Sequence, residues 1–373
     1  MNGLENTSQV LMRQSDQLQN SLLLVCPPID RLHAELEQNG HTTTSLCWDF
    51  QAYEAQQQSL AAENRERCHF GFSSPTTSET EKLISKAGAF DQVILFMPKS
   101  KDVIELYLVM FGEVLANAGS VWLVGEKREG VESVAKKLKT RGMSCIKLDS
   151  ARHCQLWEIT AADKTFKGLN NGTLESLWQQ YSVTLPDKEI LELYNLPGVF
   201  SAGRLDDGTQ LLLESLQLPE IKSLLGHMRK GRGGARILDF GCGCGVVGLS
   251  LKKQWPAAQL ELVDVNALAL ESARCSAEKM GMEVNVYASD GLSQVEPGLS
   301  AIVTNPPFHQ GVKQDTRTTQ QFLKDCQTKL RPGGSLILVA NRFLPYADWI
   351  EDSLGSVSVL AEDSRYKVYH ARR

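Results

Sequence analysis

The chain has 373 residues, enough for two ordinary domains, and its 42% apolar and 22% charged content excludes a disordered or fibrous protein. The net charge is −5, the first twenty residues are polar, and no apolar run is long enough to span a bilayer, so a cytoplasmic protein without a membrane helix is expected. Nine cysteines are scattered, and the tightest pair, Cys242 and Cys244, is spaced too closely for a zinc knuckle, so the thiols are read as reduced and no metal is assigned.

The two halves differ in charge. Residues 1–195 carry 19 Lys and Arg against 25 Asp and Glu, whereas residues 196–373 carry 20 against 19. Basic clusters occur at Arg229, Lys230, Arg232 and Arg236, and again at Arg365, Lys367, Arg372 and Arg373. Either can face a phosphate backbone, but short clusters of this kind are usually solvated surface, so charge alone names no nucleic-acid partner.

In chain order, the first half offers five strand candidates: SLLLV from Ser21, TSLCWDF from Thr44, DQVILFMPK from Asp91, GSVWLVGE from Gly119 and MSCIKLD from Met143. A polar Gly- and Asn-containing stretch over 160–182 follows and is read as the connection. This gives domains 1–182 and 183–373. From Arg236 onward the rhythm is stronger. Short apolar runs (RILDFG, LELVDV, VNVYAS, LSAIVT, GSLILVAN) alternate with helical segments, the pattern of βαβ units and a parallel sheet. LANAGSVWLVGEKR from Leu115 matches LRPGGSLILVANRF from Leu330, and VILFMPK echoes IVTNPPF. The chain therefore reads as an internal duplication of one α/β unit whose first copy has lost its glycine loop and its Asn-Pro-Pro. The expected fold is α/β, with tandem Rossmann-like domains: a seven-stranded sheet in the second and a reduced one in the first.

The unusual residues fall at strand ends, where open α/β sheets bind ligands. ILDFGCGCGVVG places Asp239 two residues before Gly241, Gly243 and Gly245, between a strand and a helix. Glycines let that backbone turn sharply and approach a ligand, while the acid favours an ammonium over a pyrophosphate. S-adenosyl-L-methionine carries such an ammonium. Asp264 ends the next strand, where ribose hydroxyls need an acceptor, and Asp290 follows the third strand, within reach of an adenine amino group. Asn305-Pro306-Pro307-Phe308 follows the fourth; its two prolines restrict the backbone and hold acceptors rigidly beside an aromatic face. Each Asp or Asn taken singly also suits a helix cap, and Asn-Pro alone marks a turn.

The glycine loop with Asp264 resembles the signature of class I S-adenosyl-L-methionine-dependent methyltransferases, and Asn305 to Phe308 resembles the element of those that methylate exocyclic or amide nitrogens. Over nearly the whole chain, including LPGVFSAGRLDDGTQLLL, NPPFHQG, VANRFLPY and RYKVYHA, the sequence resembles the RsmC/RlmG family of ribosomal RNA guanine-N2 methyltransferases. FLPY and KVYHA favour the small-subunit members over the large-subunit ones.

The resemblance implies that Asn305 Oδ1 and the Pro306 carbonyl accept from a base amino group, that Phe308 stacks on the base, and that Phe200 in PGVF helps close the pocket; the alternative for PGVF is a simple linker turn anchored by one buried aromatic. His309 is either a proton acceptor or a loop-shaping residue. Asn341 and Arg342 either contact base or RNA, or cap the next turn. The function implied is methylation of guanine N2 in 16S ribosomal RNA, with small-subunit RNA or the 30S particle as partner and a monomer as the working form. A large-subunit guanine, another amino-group substrate, or a non-enzymatic ribosome-assembly factor are the alternatives. The eroded first domain, with its acidic balance, is expected to act chiefly as a scaffold, with RNA contacts limited to spots such as Lys99 and Lys101.

Overall fold

The computed structural model describes residues 3–72, 90–98, 100, 103–161, 174–199, 205–228, 234–306 and 314–373. Its contacts divide the chain into Met1–Trp178 and Gln179–Arg373.

In the first unit the strands are β1 (Ser21–Val25), β2 (Thr42–Cys47), β3 (Cys68–Phe70), β4 (Gln92–Phe96), β5 (Ser120–Glu126), β6 (Met143–Ala151) and β7 (Cys154–Ala161). They form one sheet in the order β3-β2-β1-β4-β5-β7-β6. The second unit opens with a hairpin of β8 (Gln179–Thr184) and β9 (Ile190–Asn195). Its main sheet comprises β10 (Arg236–Phe240), β11 (Gln259–Asp264), β12 (Asn285–Ala288), β13 (Leu299–Thr304), β14 (Leu330–Asn341), β15 (Ser358–Glu362) and β16 (Tyr366–Arg372). The order here is β12-β11-β10-β13-β14-β16-β15. The two sheets have the same order, and in each the next-to-last strand runs antiparallel to both neighbours.

The duplication is therefore present in the topology, and the first sheet is not reduced. What the sequence reading lacked there was β3, only three residues long, and β7, where Gln155, Glu158 and Thr160 interrupt the apolar positions. The expected cut after residue 182 also falls inside β8, so the structure places Gln179–Ser182 in the hairpin of the second unit.

The central strands are apolar on both faces because helices cover both. Every residue of β13 is buried, as is every residue of β4. In the second unit Leu238, Ile302, Leu323 and Leu338 are fully buried in one core.

Strand register fixes residue equivalences between the copies. Val25 pairs with Leu46 and Leu95, as Phe240 pairs with Val263 and Thr304. The next residue on each strand is then Cys26 for Gly241, Cys47 for Asp264 and Phe96 for Asn305. Asp49 and Asn266, each two residues further along from Cys47 and Asp264, cap the following helix through their side chains in both copies. The first copy has kept a capping side chain and carries a half-buried or buried thiol or an aromatic ring at these three positions, while Leu24 stands where the second copy has Asp239.

Candidate active site

Four of the singled-out residues lie at neighbouring strand ends of the second sheet. Asp239 stands near the end of β10, Asp264 ends β11, Asp290 lies two residues past β12, and Asn305 one residue past β13.

The glycine loop needs its glycines. Gly241, Gly243 and Gly245 have φ of 68°, 54° and 90°, a region other residues enter only with strain. The Gly241 and Cys242 amides donate to the Val263 carbonyl at 2.9 and 3.0 Å, tying the loop to β11. The Gly243 amide donates to Asp264 Oδ2 at 3.0 Å, and Asp264 Oδ1 accepts from the Asn266 amide at 2.9 Å. Asp264 is thus held half-buried beside the loop. The three glycines differ in what surrounds them. A Cβ at Gly243 would meet nothing within 4 Å, whereas one at Gly245 would lie 3.1–3.3 Å from Leu249, Leu262 and Ala273. Gly243 leaves an open backbone surface for a ligand; Gly245 is where the loop packs onto its own domain.

Asp239 is only 2% exposed. Its Oδ2 accepts from the Gly248 amide at 2.7 Å, in the first turn of the helix Val246–Gln254. Burial pushes its carboxyl up to about 7, with the Gly248 bond opposing and the nearby Asp264 charge adding to the rise. In this arrangement the acid is turned toward the helix and braces the loop from beneath.

Asn305 is oriented by a side-chain network. Its Nδ2 donates to Asp206 Oδ2 and to Thr209 Oγ1, both at 2.9 Å. A carboxylate only accepts, so the amide must present its nitrogen to Asp206 and its oxygen to the opposite side. Asp206 also caps the helix Asp207–Ser215, accepting from the Thr209 amide at 3.0 Å and from its hydroxyl at 3.2 Å. Thr304 Oγ1 donates to the Phe240 carbonyl at 2.8 Å, tying the ends of β13 and β10 together immediately before Asn305. Pro306 is buried. Pro307, Phe308, His309 and Phe200 lie outside the described residues, as do Lys99 and Lys101.

Asn341 Oδ1 accepts from the Phe343 amide at 3.0 Å, the turn-capping geometry. Arg342 is exposed, and its Nη1 donates to the Asp363 carbonyl at 2.7 Å. A cleft of about 810 Å³ lined by Lys252, Gln259, Arg274 and Asn285 lies at the amino ends of β11 and β12 and contains none of the site residues.

Sequence reasoning missed Asp206 and Thr209. The only local signal was an Asp-x-x-Thr step ahead of an apolar helix, which predicts a cap and says nothing of Asn305. It also missed how the β8–β9 hairpin supports the loop. Tyr181 Oη contacts Cys244 Sγ at 3.1 Å, while Ser276 and Ser272 of the helix Ala267–Lys279 accept from the Tyr194 and Leu196 amides at 2.9 and 3.1 Å. Burial raises the Cys242 and Cys244 thiols, which makes them packing groups rather than nucleophiles.

Comparison with known proteins agrees with this architecture. Residues 190–370 match the family described as methyltransferase small domain, and residues 8–181 match its N-terminal counterpart. A protein of Hahella chejuensis named ribosomal RNA small subunit methyltransferase C is 50% identical over 100% of both chains. One of the same name from Pseudomonas aeruginosa is 40% identical over 99% of this chain and 100% of its own. Among solved structures, the T. thermophilus 16S rRNA N2 G1207 methyltransferase, in complex with AdoMet and guanosine, has the same fold. It superposes with a TM-score of 0.75 at 24% identity, covering 99% of this chain and 92% of that one. With identity at this level over its full length, the chain belongs to the ribosomal RNA small subunit methyltransferase C family.

Proposed function

We propose that this chain methylates the exocyclic N2 of a guanine in small-subunit ribosomal RNA, with S-adenosyl-L-methionine as methyl donor. The observation that carries the reading is the Asn305 amide, its nitrogen locked toward Asp206 and Thr209, at the strand end one place from the glycine loop and two from Asp264.

The residues present suit the donor. Gly243 offers an uncluttered backbone surface, Asp264 beside it is an acceptor for ribose hydroxyls, and Asp290 follows the adjacent strand. When bound, S-adenosyl-L-methionine supplies an electrophilic methyl group on a sulfonium. The chain's part is to present the nucleophile. A guanine amino nitrogen is a poor one, because its lone pair is delocalised into the ring. Asn305 Oδ1 and the Pro306 carbonyl accept its two N–H bonds, draw it toward a tetrahedral shape and direct its lone pair outward, which is catalysis by orientation and electrostatics. The nitrogen becomes acidic as it is alkylated, so a strong base is unnecessary, and His309 or water takes the proton. Phe308 stacks on a base that has left its helix, and Phe200 covers it. The first unit, to Trp178, acts mainly as a scaffold for the catalytic domain from Gln179 onward, which works as a monomer on the RNA or the 30S particle in the cytoplasm. Among the described residues no helix is long and apolar enough to cross a membrane.

Mass mapping of nucleosides from unmodified small-subunit RNA, incubated with the protein and labelled donor, tests the proposal. N2-methylguanosine in the wild type and its loss in Asn305→Ala are expected. N6-methyladenosine, or no modified base, would overturn it.

A further inference from the structure

Beyond the base pocket, the turn that follows β14 carries a group the reaction itself does not use. Phe343 is 78% exposed, the most exposed large apolar side chain among the described residues. Isolated exposed apolar residues need no explanation, but this one is built in. Its amide donates to Asn341 Oδ1 at 3.0 Å and the Leu344 amide donates to the Asn341 carbonyl at 3.1 Å, so the ring projects from a pinned turn. The Arg342 guanidinium lies 6.0 Å from the Phe343 ring centre, and that of Arg365 lies 5.7 Å from the Tyr366 ring. The two turns are joined where the Arg342 amide donates to the Arg365 carbonyl at 2.8 Å.

The patch is connected to the candidate active site by two consecutive residues. Asp206 holds the Asn305 amide, and its neighbour Asp207 forms an ion pair with Arg365. The aromatic turn is thus anchored to the same helix start that aims Asn305.

We infer that Phe343, flanked by Arg342, stacks against an unpaired nucleotide adjacent to the target guanine. The inference rests on the guanine-N2 reading above. When a base leaves its stack its neighbour loses a stacking partner, and a fixed aromatic face replaces it. Arg365 is paired with Asp207, and Lys367 with Glu362 at 3.0 Å, so local charge is largely balanced. Stacking, rather than phosphate attraction, then carries the contact. The contribution of Phe343 should accordingly be insensitive to salt, unlike that of a lysine or arginine that neutralises a phosphate.

The full-length protein is assayed on unmodified small-subunit ribosomal RNA transcribed in vitro, at low and at physiological salt, for RNA affinity and for N2-methylguanosine formation. Phe343→Ala should lower kcat/KM on RNA by roughly five- to 150-fold, the range for losing one base–aromatic stack, by a factor that is the same at both salts. Phe343→Tyr should restore it and Phe343→Leu should not, while S-adenosyl-L-methionine affinity by calorimetry and the melting temperature stay at wild-type values. Unchanged RNA activity in Phe343→Ala overturns the inference alone, as does rescue by Leu equal to that by Tyr. A defect confined to 30S particles and absent on naked RNA also overturns it, since that would mark a contact with a ribosomal protein. If the wild type binds the donor yet makes no N2-methylguanosine, the functional reading fails and this inference falls with it.

Discussion

Asn305 and Asp206, 99 residues apart, are joined by a 2.9 Å hydrogen bond that decides which end of the Asn305 amide faces the pocket. Asp206→Ala removes the fixed acceptor and lets the amide rotate. Losing a hydrogen bond to a charged group costs about 1.5–3 kcal/mol, so kcat should fall roughly 10- to 150-fold with little change in KM for RNA. Because Asp206 also caps a helix, a stability loss of about 0.5–2 kcal/mol should accompany it. Asp206→Asn keeps an oxygen that accepts from both Thr209 and Asn305, so melting should stay near normal and most of kcat should return, which ties the loss in Asp206→Ala to the acceptor rather than to the charge. Single-turnover methyl transfer alongside thermal melting reads both.

Gly243 and Gly245 should fail in opposite ways. Gly243→Ala puts a methyl group into open space at φ 54°, so stability should fall by only about 1–2 kcal/mol of left-handed strain while donor binding weakens sharply. Gly245→Ala adds contacts of 3.1–3.3 Å with Leu249, Leu262 and Ala273 at φ 90°, so its main effect should be on folding. Denaturant titration and calorimetry with S-adenosyl-L-methionine, run on both variants, distinguish the two. Equal losses of affinity per unit of stability would contradict the division of labour.

Asp264 accepts from the Gly243 amide and, in the proposed function, also from ribose hydroxyls of the donor, so Asp264→Ala should weaken donor binding by about 1–3 kcal/mol. A variant that binds the donor as tightly as the wild type would remove Asp264 from the site.

Asp239 makes stability depend on pH. Its folded value of about 7 lies above the ordinary carboxylate value of about 3.9, so the folded chain keeps a proton that the unfolded chain releases between those limits. Its contribution is greatest below pH of about 4 and is lost as pH rises through about 7. Asp239→Asn can still accept from the Gly248 amide but does not titrate. The stability of the variant relative to wild type should therefore rise between pH 5 and 8, as measured by thermal denaturation across that range.

The sequence was most readable where one residue type does a job that needs no distant partner. Apolar runs gave most of the strands, three alternating glycines gave the left-handed loop, and Asp264 gave itself away by its place after an apolar strand. The hairpin of β8 and β9 was not readable, because its alternation of polar and apolar residues matches a half-exposed linker until Ser272 and Ser276 are brought against it. Asp206 and Thr209 were invisible for the same reason, since their partner is brought to them only by the closed sheet. Asp239 was conspicuous as an acid, but sequence cannot show that its carboxylate turns toward the helix.

Cys26 and Gly241 occupy the same turn in the two copies. Cys26 keeps φ at 54° though it is not glycine, and its amide donates to the Leu46 carbonyl at 2.8 Å, as that of Gly241 does to Val263 at 2.9 Å. At this one turn the path of the backbone has therefore outlasted the chemistry it once served. Beyond it the tracks part, since Gly243 and Gly245 hold φ of 54° and 90° while no residue from 27 to 31 has a positive φ, which makes the first copy a partial chassis: to restore a second pocket, an engineer would rebuild the loop after Cys26 as well as change Cys26, Cys47 and Phe96.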